Sequence, residues 1–467
     1  MIGPSAKRAL VGSFGTRDPV LRRVCPTQQH RVLERMRQQE PRVAIVQRQY
    51  SLSTTSLASS DTSTASESNY YRPPPVKHAS KFKGPIVNQL WDLRQKAKEK
   101  ASSSDSPIDM VRPRPPGESM TKIGYDFEDD EFLMERYRNP FGHLRFGKVL
   151  EDLDALAGNI AFSHVQDPDI NIVTASVDRI RLSGTVGLDK SQQLSGKVNF
   201  VGTSSMEIRM QCTGENEDDP WMEAYFTFVA MDPKTKRPMK IPPLDPQTWL
   251  EKDQFEAGKR RAQLRKELRK KQKNFETPLD PEIEKVAMGL LKEAGPLKNV
   301  PSLANPKSIL MEQTKLQNCE LAQPQTANLA NQIFGGFLMR RAFDLAYATA
   351  YVFLGRRPRF VEVDQVAFTI PVSVGDLTNF QAQVIYADVH HELRDFTVYQ
   401  GQKDVPLVSI EVSAWVVEPE QASAKLSNKF VYTFAGDAGS EIRKVLPSNM
   451  EEARKMAIQM GHHSNTV

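Results

Sequence analysis

The feature that most constrains this chain is an internal duplication. A helix-period run, FGKVLEDLDALAG from Phe146, is followed by IVTASVDRIRL from Ile172, which reads as a strand. GKVNFVGTSSMEIRMQC and WMEAYFTFVAMDP then read as two more strands. The same order returns as GGFLMRRAFDLAYATAYVF, FVEVDQVAFTIPVSVGD, NFQAQVIYADVHHELRDFTVYQ and PLVSIEVSAWVVEP. Gly147 and Gly336 stand 189 positions apart and Asp178 and Asp364 stand 186 apart, so the copies align almost without insertion.

Within each copy the strands alternate with period two. Met206, Ile208 and Met210 alternate with Glu207, Arg209 and Gln211; Val408, Ile410, Val412, Ala414 and Val416 alternate with Ser409, Glu411, Ser413 and Trp415. A sheet of this kind buries one face and needs a cover. The long helix supplies it through Phe337, Leu338, Phe343 and Leu345, with Ala342 and Ala346 allowing close approach. The expected fold is α+β: an antiparallel sheet wrapped around one long helix, made twice, over residues 119–246 and 306–447.

The flanking segments differ in composition. Residues 1–50 hold Lys7 and nine arginines against Asp18, Glu34 and Glu40, a surplus of +7, while the whole chain carries only +5. The basic character therefore belongs to the leader, which argues against nucleic acid as a partner of the folded body. An Arg-rich, acid-poor leader running into a Ser/Thr tract has the composition of a mitochondrial presequence, directing the protein to the matrix. Residues 51–118 read as a disordered Ser/Pro-rich linker with a short helix near residues 88–100. Residues 247–305 read as a charged helical insert, solvated and connecting, with nine basic residues between Lys259 and Lys273; residues 448–467 read as a tail. No run of about 18 to 20 apolar residues is present to span a membrane. Cys25, Cys212 and Cys319 show no metal spacing and imply no disulfide framework, and His143, His164, His390 and His391 likewise suggest no metal site.

The segment from Asn328 to Ala346, NLANQIFGGFLMRRAFDLA, carries the clearest chemical signal. Gly335 and Gly336 open a helix with backbone N–H groups unshielded at the positive end of its dipole, where they can hold the charge that develops on an acyl oxygen. Asn331, flanked by Asn328 and Gln332, can orient a water or a carbonyl, and the sequence leaves open which of the three supplies the amide. In the first copy the helix holds Glu151, Asp152 and Asp154. Asp154 lies beside the apolar face of Leu150, Leu153 and Ala157 and is the candidate base, whereas Glu151 and Asp152 point more to solvent. Neither copy has a G-x-S-x-G nucleophile elbow.

RFGKVLEDLDALAG, IVTASVDRI and VNFVGTSSMEIRM in the first half, with NQIFGGFLMRRAFDLA and VDQVAFTIPVSVGD in the second, resemble the tandem hotdog acyl-CoA thioesterases. The similarity covers residues 119–447 and is strongest to the mitochondrial acyl-CoA thioesterase 9-like branch. It implies two hotdog domains that hydrolyse fatty acyl-CoA to free acid and CoA with no cofactor and no metal, at a site shared between the copies, and it implies that tandem units associate further as a homo-oligomer. Asp154 occupies the seventh place after Gly147, where related enzymes hold their catalytic Asp; the second copy has Phe343 there and Asp344 next. The first copy lacks the double glycine. One productive site follows, with Asp154, Asn331 and Gly336 catalytic and Asn328, Gln332 and Gly335 around the substrate. Arg340 and Arg356, with Arg341, Arg357 and Arg359, are candidates for the CoA phosphates. The competing readings are a hotdog hydratase, which needs a His paired with a carboxylate near the helix, and a catalytically silent acyl-CoA-binding or scaffold protein.

Overall fold

The computed structural model describes residues 83–102, 109–183, 187–214, 219–273, 281–328, 332–390 and 402–464. The leader expected as a presequence and most of the Ser/Thr tract lie outside them.

Each copy contributes four long strands. In the first they are β2 (Asn171–Leu182), β3 (Gln192–Val201), β4 (Ser205–Gly214) and β5 (Met222–Met231); in the second, β8 (Arg359–Phe368), β9 (Leu377–His390), β10 (Val405–Glu418) and β11 (Ser423–Ala435). With β1 (Thr121–Tyr125) and β7 (Leu316–Leu321) at the two edges they form a single sheet, ordered β1-β3-β4-β5-β2-β8-β11-β10-β9-β7. The copies thus share one sheet, sewn together where β2 meets β8.

The seam is symmetric. Ser176 lies opposite Ala367, Val177 opposite Val366, Ile180 opposite Val363 and Arg181 opposite Glu362. With the 186-residue offset Ser176 corresponds to Glu362 and Arg181 to Ala367, so each seam pair maps onto another. A local twofold axis passes beside Asp178 and Asp364.

Two long helices lie against the sheet, α3 (Phe146–Val165) and α6 (Gly335–Leu354). Each closes on a left-handed residue, Gln166 at φ 59° and Gly355 at φ 66°, that ends the helix by capping its last carbonyls. They run antiparallel, so that Gly336 meets Asp154 and Glu151 while Gly147 meets Phe343 and Arg340. Ala155, Ala157, Ala161, Ala342, Ala346 and Ala350 are fully or almost fully buried, the small residues that allow this approach. The arrangement is the hotdog fold, twice.

Four departures from the sequence reading have physical causes. GKVNFVGTSSMEIRMQC, read as one strand, turns back at Gly202 and makes both β3 and β4, and β11 is a further strand. Between residues 51 and 118, α1 (Pro85–Ser102) is an ordered helix that buries Ile86, Val87, Leu90 and Trp91 against α3, a stripe too short to announce itself beside polar neighbours. In the charged insert, α4 (Trp249–Lys273) is not merely solvated: it lies on the sheet, Phe255 packing on Phe200 at 5.2 Å and Arg261 and Arg265 reaching Glu207 and Asp178. A second helix, α5 (Pro281–Asn299), follows. Finally α7 (Met450–Ser464), in the stretch read as a tail, buries Ala453, Met456 and Ala457.

Candidate active site

Asp154 sits midway along α3 and is almost fully buried. Its Oδ2 accepts the backbone N–H of Gly336 at 2.7 Å, and its Oδ1 accepts the Thr174 hydroxyl from β2 at 2.9 Å. The carboxylate of the first copy therefore sits on the opening turn of the helix of the second. Burial pushes its pKa up from 3.8 to about 6, while the Thr174 hydroxyl and the Gly336 amide hold it back from rising further. A carboxyl poised near 6 is ionised at neutral pH yet basic enough to take a proton.

The double glycine is a requirement of this contact. A Cβ on Gly335 would come within 2.9 Å of Asp154 Oδ2, and one on Gly336 within 2.8 Å of Glu151 Cα and of the Phe334 ring. The sequence reading gave the Gly336 amide to the oxyanion. In the structure that N–H donates to Asp154, so it fixes the candidate base, with the positive end of α6 beside it.

Asp152 and Glu151 are not solvent-directed. Asp152 is buried, and its Oδ2 accepts the hydroxyls of Tyr137 at 2.5 Å and Tyr125 at 3.0 Å. Its burial raises its pKa to about 8, the two tyrosines opposing the shift, so it is largely protonated at neutral pH. Glu151 bridges Lys148 at 3.0 Å and Arg340 at 3.1 Å. Helix α3 is buried nearly all round, between the sheet, α6 and α1, so neither carboxylate has a solvent face to turn to. Arg340 is accordingly a strut between the copies.

The other expected site residues divide. Asn328 and Gln332 close a short loop ahead of α6: the Asn328 N–H donates to the Gln332 carbonyl at 2.6 Å and the Gln332 N–H to Asn328 Oδ1 at 3.1 Å. Asn331 lies outside the described residues. Arg356 follows the C-terminus of α6, roughly 30 Å along the helix from Gly336 at 1.5 Å per residue, and is exposed 3.8 Å from Asp437; it is not brought to Asp154. His164 is buried with Nε2 at 2.9 Å from the Pro242 carbonyl, near the C-terminal end of α3, and does not supply the His–carboxylate pair that the hydratase reading needs.

Two residues escaped the sequence reading. Thr174 gave no signal, being one hydroxyl in a strand. Asn139 had one: it stands 189 positions before Asn328, the spacing of Gly147 and Gly336. Its Oδ1 accepts the N–H groups of Phe141 and His143 in the loop ahead of α3.

Around the pseudo-twofold axis the place of Asp154 is taken by Phe343. Its ring packs in an aromatic nest with Phe146 at 5.7 Å, Phe360 at 5.1 Å, Tyr432 at 5.6 Å and Phe434 at 5.8 Å. This half-site has the amide loop and the helix opening but a hydrocarbon where the other has a carboxylate. Among the described residues Glu362, Asp364 and His462 also bring ligand-type atoms within 4.8 Å of one another, but Arg179 holds Glu362 and Thr433 and Gln459 hold Asp364.

No protein-family model matches the chain. It is 39% identical over 399 residues to the mitochondrial acyl-coenzyme A thioesterase 4 of Humulus lupulus, covering 81% of this chain and 73% of that protein. It is 38% identical over 400 residues to the chloroplastic acyl-coenzyme A thioesterase 2 of the same plant, covering 81% and 89%. Human mitochondrial acyl-coenzyme A thioesterase 9 is 29% identical over 368 residues, covering 74% and 77%.

Proposed function

The chain belongs to the acyl-CoA thioesterase family, and from that premise we propose that it hydrolyses fatty acyl-CoA to free acid and CoA at one composite site, with Asp154 as its base. The observation that carries the site is the contact of the Asp154 carboxylate with the Gly336 amide across the two copies. Water, activated by Asp154 Oδ1 or Oδ2, attacks the thioester carbonyl, and the C–S bond breaks as CoA leaves as a thiol taking up a proton. The thioester oxygen faces the opening turn of α6, whose dipole favours the negative charge that builds there. Gly335 and Gly336 let substrate and carboxylate approach that turn without a Cβ in the way. Asn328, which closes the loop ahead of α6 with Gln332 and is matched by Asn139 in the other copy, supplies the orienting amide.

A buried carboxylate raised towards 6 and held on the opening turn of a helix from the other copy is the arrangement a general base needs, which favours hydrolysis over a silent scaffold. The leader composition and the relatives named mitochondrial support delivery to the mitochondrial matrix. Edge strand β7 is largely exposed, Leu321 included, which supports further association of tandem units through the sheet edge.

Thiol release from a panel of acyl-CoAs tests the reading on the mature protein and its Asp154→Ala variant. Release by the unaltered protein and a loss of at least about 100-fold in the variant are expected. An Asp154→Ala protein that hydrolyses at the full rate overturns the assignment.

A further inference from the structure

The silent half-site is not filled in. A cavity of roughly 1030 Å³ opens at it, walled by Phe146, Phe343, Tyr347 and Phe360, with Asn139 at its side. Its rim carries Arg138, Arg145, Arg357 and Arg359 against the carboxylates of Glu135 and Asp344. Drug-sized and cofactor-sized ligands occupy cavities of about 300 to 1000 Å³ with apolar walls and a few placed polar groups. The volume, the aromatic wall and the surplus of guanidinium groups fit a molecule with phosphates at one end and a hydrocarbon chain at the other.

By the 189-residue offset this cavity is the twofold mate of the Asp154 site, so what binds one half-site is the natural ligand of the other. The two flanks have diverged in opposite senses. Tyr347, beside the cavity on α6, corresponds to Gly158 on α3, where a Cβ would stand 3.4 Å from Arg94 Nη1 of α1. The Arg94 guanidinium lies over the Phe162 ring at 5.5 Å. Helix α1 thus covers the flank of the catalytic copy that its mate leaves open. The chemistry has diverged as well: Phe343 replaces the base, and Asp344 is turned outward, its side chain 39% exposed with Arg340 at 3.9 Å.

We propose that the cavity around Phe343 and Arg357 is a second, non-hydrolytic binding site for a CoA thioester. The phosphates lie on the arginine rim and the acyl chain on the Phe343, Phe360 and Tyr347 wall; with hydrocarbon in place of the base, the thioester is held and not cleaved. The inference rests on the assignment of hydrolysis to Asp154.

The test counts ligands per chain by equilibrium dialysis of the full-length protein with an S-alkyl thioether of CoA, which water cannot cleave. Two equivalents are expected for the unaltered chain. In Arg138→Glu/Arg145→Glu the second equivalent weakens at least tenfold, while thiol release from acyl-CoA at limiting substrate stays within about twofold; Arg138→Glu alone, at an exposed position, serves if the double variant does not fold. Free CoA in place of the thioether separates the two sources of affinity: filling of the second equivalent by free CoA shows capture by the phosphates, and filling by the thioether alone shows capture by the chain. One equivalent in the unaltered protein overturns the proposal, as do two undiminished equivalents in both variants. Hydrolysis that survives Asp154→Asn and vanishes with Asp344→Asn also overturns it, by making this the active half. Failure of the Asp154 assignment alone appears in activity, and failure of the second site in stoichiometry.

Discussion

The backbone N–H of Gly336 donates to Asp154 Oδ2 at 2.7 Å across 182 positions of sequence. The helix opening and the carboxylate that we propose as the base belong to different copies, so neither copy alone assembles the proposed site.

Asp154 is expected to trade stability for chemistry. Its pKa is raised from 3.8 to about 6, so above pH 6 its ionised form costs the fold on the order of 3 kcal/mol at 1.36 kcal/mol per unit. Asp154→Asn keeps the shape and removes that charge. Chemical denaturation at pH 7.5 should find the variant more stable by about 1 to 3 kcal/mol, with thiol release down by at least about 100-fold.

The same carboxyl gives a pH profile. With Asp154 as the base, hydrolysis requires its ionised form, so kcat/KM should rise with pH to a plateau, with a midpoint near 6, and fall away as the pH drops through that value. Stability runs the other way: Asp154 contributes none of its cost below its unfolded value near 3.8 and all of it above 6. Thr174→Val removes a hydroxyl that lowers the pKa, so the midpoint of the activity profile should move upward. An unmoved midpoint would detach Thr174 from the base.

How much of this was legible in the sequence follows from how local each signal is. The duplication and the period-two alternation depend on spacing, which the chain displays openly, whereas the hotdog fold and the pairing of Asp154 with Gly335 and Gly336 come with the family resemblance. Trp91 and Leu90 in α1, and Ala453 and Met456 in α7, are buried only because a helix or sheet from elsewhere is there to receive them. Asp152 shows the same limit at one residue: period and face pointed it to water, and Tyr125 and Tyr137 meet it inside. Asn139 was within reach, since the 189-residue spacing already in hand marks it.

Adding a methyl group at the helix opening should disrupt both fold and catalysis. In Gly336→Ala the Cβ meets backbone at Glu151 Cα, 2.8 Å away, where no flexible side-chain tip can yield. Urea denaturation should show a loss of about 1 to 3 kcal/mol, and kcat should fall because α6 must draw back from Asp154.

The basic insert should matter for stability and little for turnover. Arg265 pairs with Asp178 and Glu207, and Arg261 donates to Glu207 at 2.6 Å from Nη2. Arg265→Leu leaves Asp178 without its arginine on the sheet, and a loss of about 3 kcal/mol is expected by chemical denaturation. A change below about 0.5 kcal/mol would return α4 to the status of a solvated connector.

The symmetric seam between β2 and β8 has a genetic consequence. In an assembly of two identical chains every substitution appears twice, and losing a base from one site means losing it from both. Once the partners are encoded in one reading frame, their fates separate: Asp can become Phe at position 343 while position 154 keeps its acid. Heredity, and not geometry alone, then allows two mirrored places on one sheet to take up different work.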